Sequence, residues 1–139
     1  MARKVFIDTN LLFYAVDTAA SEKHHASRAV LATVAKEAEL VLSSQVLQEF
    51  AANGLRKLGL GPEDVRRLIV DLPPHELVRI DQGLVVQALG LVARYHLSYW
   101  DACIVAAALH ARCRALYSED LQDGMRIEGL RVVNPLEAA

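Results

Sequence analysis

The 139-residue chain has only two cysteines, Cys103 and Cys113, which share no C-x-x-C spacing. That excludes a disulfide-stapled scaffold and a thiolate zinc site, and leaves two free thiols in a reducing compartment as the reading. Proline and glycine are scarce, at 4 and 7 copies, and fall mostly between periodic segments as punctuation. No basic excess is present: the net charge is -2, so any attraction for nucleic acid has to be local rather than global. No apolar run is long enough to span a bilayer. The longest stretch, Leu84 to Leu97, is interrupted by Gln87, Gly90, Arg94 and His96. The charged start lacks the apolar core of a signal peptide, and a cytoplasmic location is the expectation.

What remains is 53 % hydrophobic and 23 % charged, the balance of a compact fold rather than a disordered chain. The length suits one domain, residues 1–139. Val5-Phe6-Ile7, Leu40-Val41-Leu42, Glu76 to Ile80, Ala115-Leu116-Tyr117 and Leu130 to Val133 read as short strands. Helical spacing connects them, beginning with Leu11 to Val16. A second helix, capped by Ser21, runs to Ala38, and a third carries Val46, Leu47, Phe50, Leu55 and Leu58. Pro62 starts a helix that Pro73-Pro74 ends, Gln82 to His96 forms another, and Ser98 opens the last. Alternation of this kind predicts a three-layer α/β sandwich with a mainly parallel central sheet flanked by helices. In such sheets, ligands bind outside the carboxyl ends of the strands.

Acidic residues fall at those ends. Asp8 closes the first strand, Glu49 sits on the helix after the second, Asp101 is in the first turn of an apolar helix, and Asp120 follows the fourth strand. Each has an ordinary explanation on its own: Asp8 as a helix N-cap, Glu49 as a solvated helix residue, Asp101 as a partner of the Ser98 cap, Asp120 as turn chemistry. Together, in this architecture, they can converge on one point. Clustered carboxylates repel one another unless a cation lies among them, and hard oxygen donors suit Mg2+ or Mn2+. The matching chemistry is phosphodiester hydrolysis, in which the ion activates water and stabilises the leaving oxygen. No G-x-S-x-G elbow, P-loop or Ser/His/Asp order competes.

Four segments resemble the ordered motifs of PIN domains, with bacterial VapC-type toxins as the nearest group. They are V-F-I-D-T-N at 5–10, V-L-Q-E-F at 46–50, S-Y-W-D-A-C-I-V-A-A-A at 98–108 and L-Y-S-E-D-L at 116–121. The resemblance implies that Asp8, Glu49, Asp101 and Asp120 are catalytic metal ligands, with Thr9, Asn10 and Ser118 orienting them. Glu119 and Asp123 stand close enough in sequence to substitute for Asp120. It further implies an endoribonuclease acting on RNA, a homodimer and a cognate antitoxin protein. Two other readings stay open: an RNase H-like two-metal nuclease, and a PIN-like module that binds RNA or protein without catalysis.

Other residues carry weaker signals. Arg56, Lys57, Arg66 and Arg67, and also Arg112 and Arg114, are compatible with an RNA backbone, although a solvated helical face explains them equally. Tyr14, Tyr99 and Trp100 have rings that stack on bases, but Trp100 fits core or interface better. His24, His25 and His110 read as surface or packing residues, and Cys103 as core.

Overall fold

The computed structural model describes residues 3–137; Met1, Ala2, Ala138 and Ala139 lie outside the described residues. Six strands, β1 (Lys4–Ile7), β2 (Glu39–Ser43), β3 (Glu76–Val78), β4 (Ala115–Tyr117), β5 (Arg126–Ile127) and β6 (Leu130–Val133), form one sheet in the order β3-β2-β1-β4-β6-β5. Every pairing is parallel except β5 with β6. The helices are α1 (Thr9–Val16), α2 (Glu22–Glu37), α3 (Ser44–Arg56), α4 (Pro62–Val70), α5 (Gln82–Tyr95) and α6 (Tyr99–His110). The mixed α/β architecture with a mostly parallel sheet flanked by helices is the one that the alternating pattern predicts.

Val5, Phe6 and Ile7 of the central strand are all fully buried, so both faces of the sheet are covered there. α6 is apolar all round and correspondingly sunk: Ala102 to Ala108 are buried as it packs against β2 and β4. Its start is fixed by Ser98, whose hydroxyl accepts from the Asp101 N–H at 3.2 Å. Asp8, Ser43 and Asp81 cap α1, α3 and α5 in the same way. Among the described residues, no helix is long and apolar enough to cross a membrane.

Some boundaries differ from the sequence pattern. Ser21 precedes α2 but does not cap it, because its backbone turns to φ 50 and its side chain bonds to no helix N–H. α3 ends at Arg56 rather than near Leu58, and β3 stops at Val78. The pattern misses β5 altogether. It is joined to β6 by Glu128-Gly129 with φ 49 and 93, a turn that needs positive φ at both positions and so favours glycine at one.

Sequence order and sheet order determine where a site can form. From β1 the chain steps outward to β2 and β3, then returns to the other side of β1 as β4. The carboxyl ends of β1 and β4 therefore flank the switch point, where the connections diverge and leave a crevice.

Candidate active site

That crevice is a cleft of about 520 Å³ lined by Asp8, Glu49, Asp101 and Asp120, with Thr9, Asn10, Gln45, Arg56, Lys57 and Trp100 among the other walls. The four acids come from four different places: the end of β1, the second turn of α3, the first turn of α6 and the loop after β4. Residues spread over more than a hundred positions of sequence are thus gathered by the parallel sheet and its helices.

Asp8 is the most deeply held. Its Oδ1 accepts from the Thr9 N–H at 2.7 Å and its Oδ2 from the Ser118 hydroxyl at 2.7 Å. Burial pushes its carboxyl up from 3.8 to about 6; the two donors oppose that rise, and the charges of Asp120 and Glu49 add to it. The Asp101 carboxyl, half-buried, is also raised, first by desolvation and then by Asp120 and Glu49. The acids therefore sense one another's charge across the cleft.

The residues around them form a fixed scaffold. Thr9 Oγ1 donates to Glu49 Oε1 at 2.6 Å, which ties the β1–α1 junction to α3. Ser118 Oγ, besides donating to Asp8, accepts from the Asp120 N–H at 3.1 Å. Asn10 Nδ2 donates to Asp120 Oδ2 at 3.1 Å, and its Oδ1 accepts from the Glu119 N–H at 3.4 Å. Thr9, Asn10 and Ser118 thus touch the carboxylates that they were expected to orient.

Gln45 was not anticipated. Its Nε2 lies 3.3 Å from both Glu49 Oε2 and the Trp100 carbonyl, joining α3 to the start of α6. Its Oε1 is buried without a partner. The signal was present as an i, i+4 spacing from Glu49 on an amphipathic helix.

The two possible substitutes for Asp120 have partners of their own, although Glu119 also lines the cleft. Glu119 accepts from Tyr14 Oη at 2.6 Å and pairs with Lys23 at 2.6 Å. Burial alone would raise its carboxyl, but those two partners hold it below its usual range. Asp123 accepts from the Asn134 N–H at 2.8 Å and is not among the cleft walls. The basic residues also divide. Arg56 and Lys57 line the cleft, whereas Arg66 pairs with exposed Glu63 at 3.4 Å and Arg67 faces a separate hollow. Trp100 is neither core nor packed: it is 64 % exposed on the cleft rim, edge-on to Tyr99.

The donor set suits a hard divalent cation, since carboxylate and amide oxygens line the cleft and neither thiolate nor imidazole does. Among the described residues, no three His, Cys, Asp or Glu side chains stand close enough to enclose an ion unaided. Water or phosphate oxygens have to complete any coordination sphere, as is usual for Mg2+.

The architecture is shared with solved toxin structures. Mycobacterium tuberculosis VapC20, a sarcin-ricin loop cleaving toxin, superposes with a TM-score of 0.68 at 20 % identity over 84 % of this chain and 89 % of that one. A toxin–antitoxin complex from Klebsiella pneumoniae gives 0.69 at 21 % identity, covering 94 % and 97 %. VapBC2 from Rickettsia felis, bound to a DNA fragment from its promoter, gives 0.66 at 17 % identity, covering 93 % and 96 %. No curated protein matches the sequence significantly. Residues 5–122, from the first strand through the last of the four acids, match the PIN domain family, and the chain belongs to that family.

Proposed function

We propose that this protein is a metal-dependent endoribonuclease that hydrolyses RNA phosphodiesters in the acidic cleft, and that it is the toxin of a type II toxin–antitoxin pair. The observation that carries the reading is the convergence of Asp8, Glu49, Asp101 and Asp120 on one cleft at the sheet's switch point. PIN-domain nucleases as a family use divalent ions, and the VapC likeness supports both the nuclease and the antitoxin partner. In this reading the chain works as one cytoplasmic PIN domain and pairs with a second copy of itself. Val86 and Leu89, 64 % and 54 % exposed on α5, support such a face.

Asp8, Glu49, Asp101 and Asp120 would hold Mg2+ or Mn2+. A bound ion of this kind supplies a nucleophilic water at neutral pH and neutralises charge on the leaving oxygen. The chain's own groups do the remaining work. Thr9, Asn10 and Ser118 fix the carboxylate rotamers by the bonds described above. Arg56 and Lys57, on the α3 wall, meet the anionic backbone as it enters, and the exposed Trp100 ring offers a surface for an unstacked base. Asp8 is buried with its carboxyl raised to about 6, and a cation beside it would favour the ionised form.

The test is cleavage of a mixed single-stranded RNA pool with Mg2+ or Mn2+ against EDTA, with Asp8→Asn and Asp101→Asn alongside. Metal-dependent cleavage lost in both variants is the expected result. Full activity in Asp101→Asn overturns the site. If no RNA is cut, calorimetric titration of Mn2+ separates a selective nuclease, which binds the ion through Asp8, from a non-catalytic PIN module, which does not.

A further inference from the structure

The sheet that builds the cleft carries a second feature on its β4–β6–β5 half. In that half, the face bearing Leu116, Ile127, Leu130 and Val132 is fully buried. The opposite face is not. Parallel register pairs Ala115 with Arg131 and Tyr117 with Val133, and antiparallel register pairs Arg131 with Arg126, so these residues share one face. Val5 and Ile7 belong to the same face on β1 and are fully buried, so its cover is complete over β1 and fades toward β5. Arg3, two residues before Val5, falls on it as well, and Arg114, in the bend just before β4, lines the same concavity.

The result is a concavity of about 640 Å³ containing Arg3, Arg114, Arg126 and Arg131, with Tyr117 beside them and no carboxylate in its lining. All four arginines are exposed, and among the described residues none is in an ion pair. Four other cations are in ion pairs: Lys4 with Glu76, Lys23 with Glu119, Arg66 with Glu63 and Arg94 with Glu128. Like charges gathered on adjacent strands without counter-ions repel one another, which disfavours the fold and favours an anionic occupant.

We propose that this arginine-lined sheet face is an RNA-backbone binding site separate from the acidic cleft. This rests on the reading that RNA is the protein's ligand. Planar guanidinium groups bind phosphate oxygens bidentately, and a phosphodiester chain is an occupant that matches several of them in succession. The net charge is -2 and the cleft itself is acidic, so the global field does not draw RNA in; a local cationic surface does. Arg114 lies just before β4 and Ser118 just after it, about 13 Å further along at strand rise, which is the span between this face and the site. The arginines gather at the amino ends of β1, β4 and β6, so RNA held there reaches Ser118 and Asp120 by running along β4 to its carboxyl end. Tyr117, half-buried on the same face, presents a ring against which a base can stack.

The experiment is binding of a labelled single-stranded oligouridylate to the full chain in EDTA, over a range of salt concentrations. Three proteins are compared: the native sequence, Arg114→Gln/Arg126→Gln/Arg131→Gln, and a control, Arg28→Gln/Arg67→Gln/Arg79→Gln. The control removes the same charge from exposed positions outside the face. The expected result is a loss of about tenfold or more in affinity at low salt for the first variant alone, with its log–log salt slope shallower by about 2. Equal losses in the two variants overturn the proposal. So does polyglutamate binding at these arginines more tightly than the oligouridylate, which would assign the face to an acidic protein segment. Cleavage is measured separately. Face-dependent binding with neither cleavage nor Mn2+ binding leaves this site standing and removes the nuclease reading; cleavage without face dependence does the reverse.

Discussion

At the scale of single residues, Asp8 carries two demands that conflict. Its site in a cleft of acids calls for a charged carboxylate, yet it is only 5 % exposed. Its folded value near 6 stands above the ordinary 3.8, so between those two pH values the native state holds a proton that the unfolded chain has released. Stability is therefore lost as pH rises through that window, and above pH 6 the carboxylate costs about 3 kcal/mol. Asn in its place keeps an acceptor for Ser118 but forfeits the one for the Thr9 N–H, worth about 1 kcal/mol. In EDTA at pH 8, Asp8→Asn is expected to be more stable by about 1–2 kcal/mol, visible as a Tm several degrees higher. At pH 4 the order reverses. Thermal scans at the two pH values check this, and equal or lower stability of the variant at pH 8 contradicts it. Ser118→Ala acts on the same carboxylate from outside. It removes the donor to Asp8 and the acceptor of the Asp120 N–H, so a loss of about 1–2 kcal/mol and of tenfold to a hundredfold in cleavage rate is expected. Asp8, Asp101 and Asp120 stand at a strand end or a helix start and Glu49 on a helix that begins at a strand end, which is legible in the sequence; that all four line one cleft is visible only in the fold. Gln45 was not, since a buried amide bridging two helices looks like any other glutamine until α6 is placed beside α3.

At the scale of elements, the α3–α4 pair shows how closely the site's supports are fitted. Gly54 is buried on α3, and a Cβ there would stand 3.2 Å from Val65 Cγ2 on α4. Gly54→Val is expected to force the two helices apart at a cost of about 2 kcal/mol, measured by chemical denaturation. Because α3 carries Glu49 and Arg56 and leads into Lys57, cleavage should fall along with stability. An unchanged denaturation midpoint would show that the helices do not meet there. The succession of strands and helices was legible from apolar runs of three residues alternating with helical spacing, since a sheet covered on both faces leaves continuous apolar strands. β5 was not legible. It has only Arg126 and Ile127, and its turn uses Glu128-Gly129 in place of the more telling Asn-Gly. The Ser21 cap failed for a related reason: its backbone turns to φ 50 and its side chain makes no cap bond, and nothing in the residue type reports that.

At the scale of the whole molecule, what the sequence conceals is the joint arrangement of distant residues. Arg3, Arg114, Arg126 and Arg131 are isolated charges along the chain and become one surface only through register. The exposed apolar residues of α5 raise a related question about assembly. Val86 and Leu89 lie three positions apart, so they project from one side of the helix, and together they leave an apolar stripe facing water. A second copy of the chain covering that stripe removes it from solvent, and the native protein is then a dimer whose Tm rises with concentration. Leu89→Asp places a carboxylate where the partner's apolar surface would close over it. The buried charge should weaken association by at least about 3 kcal/mol, roughly a hundredfold or more in Kd. Sedimentation equilibrium decides the matter. A native dimer that Leu89→Asp converts to monomer, with its circular dichroism unchanged, places the interface on α5. A native monomer excludes self-association, and a variant that remains dimeric moves the interface to another face.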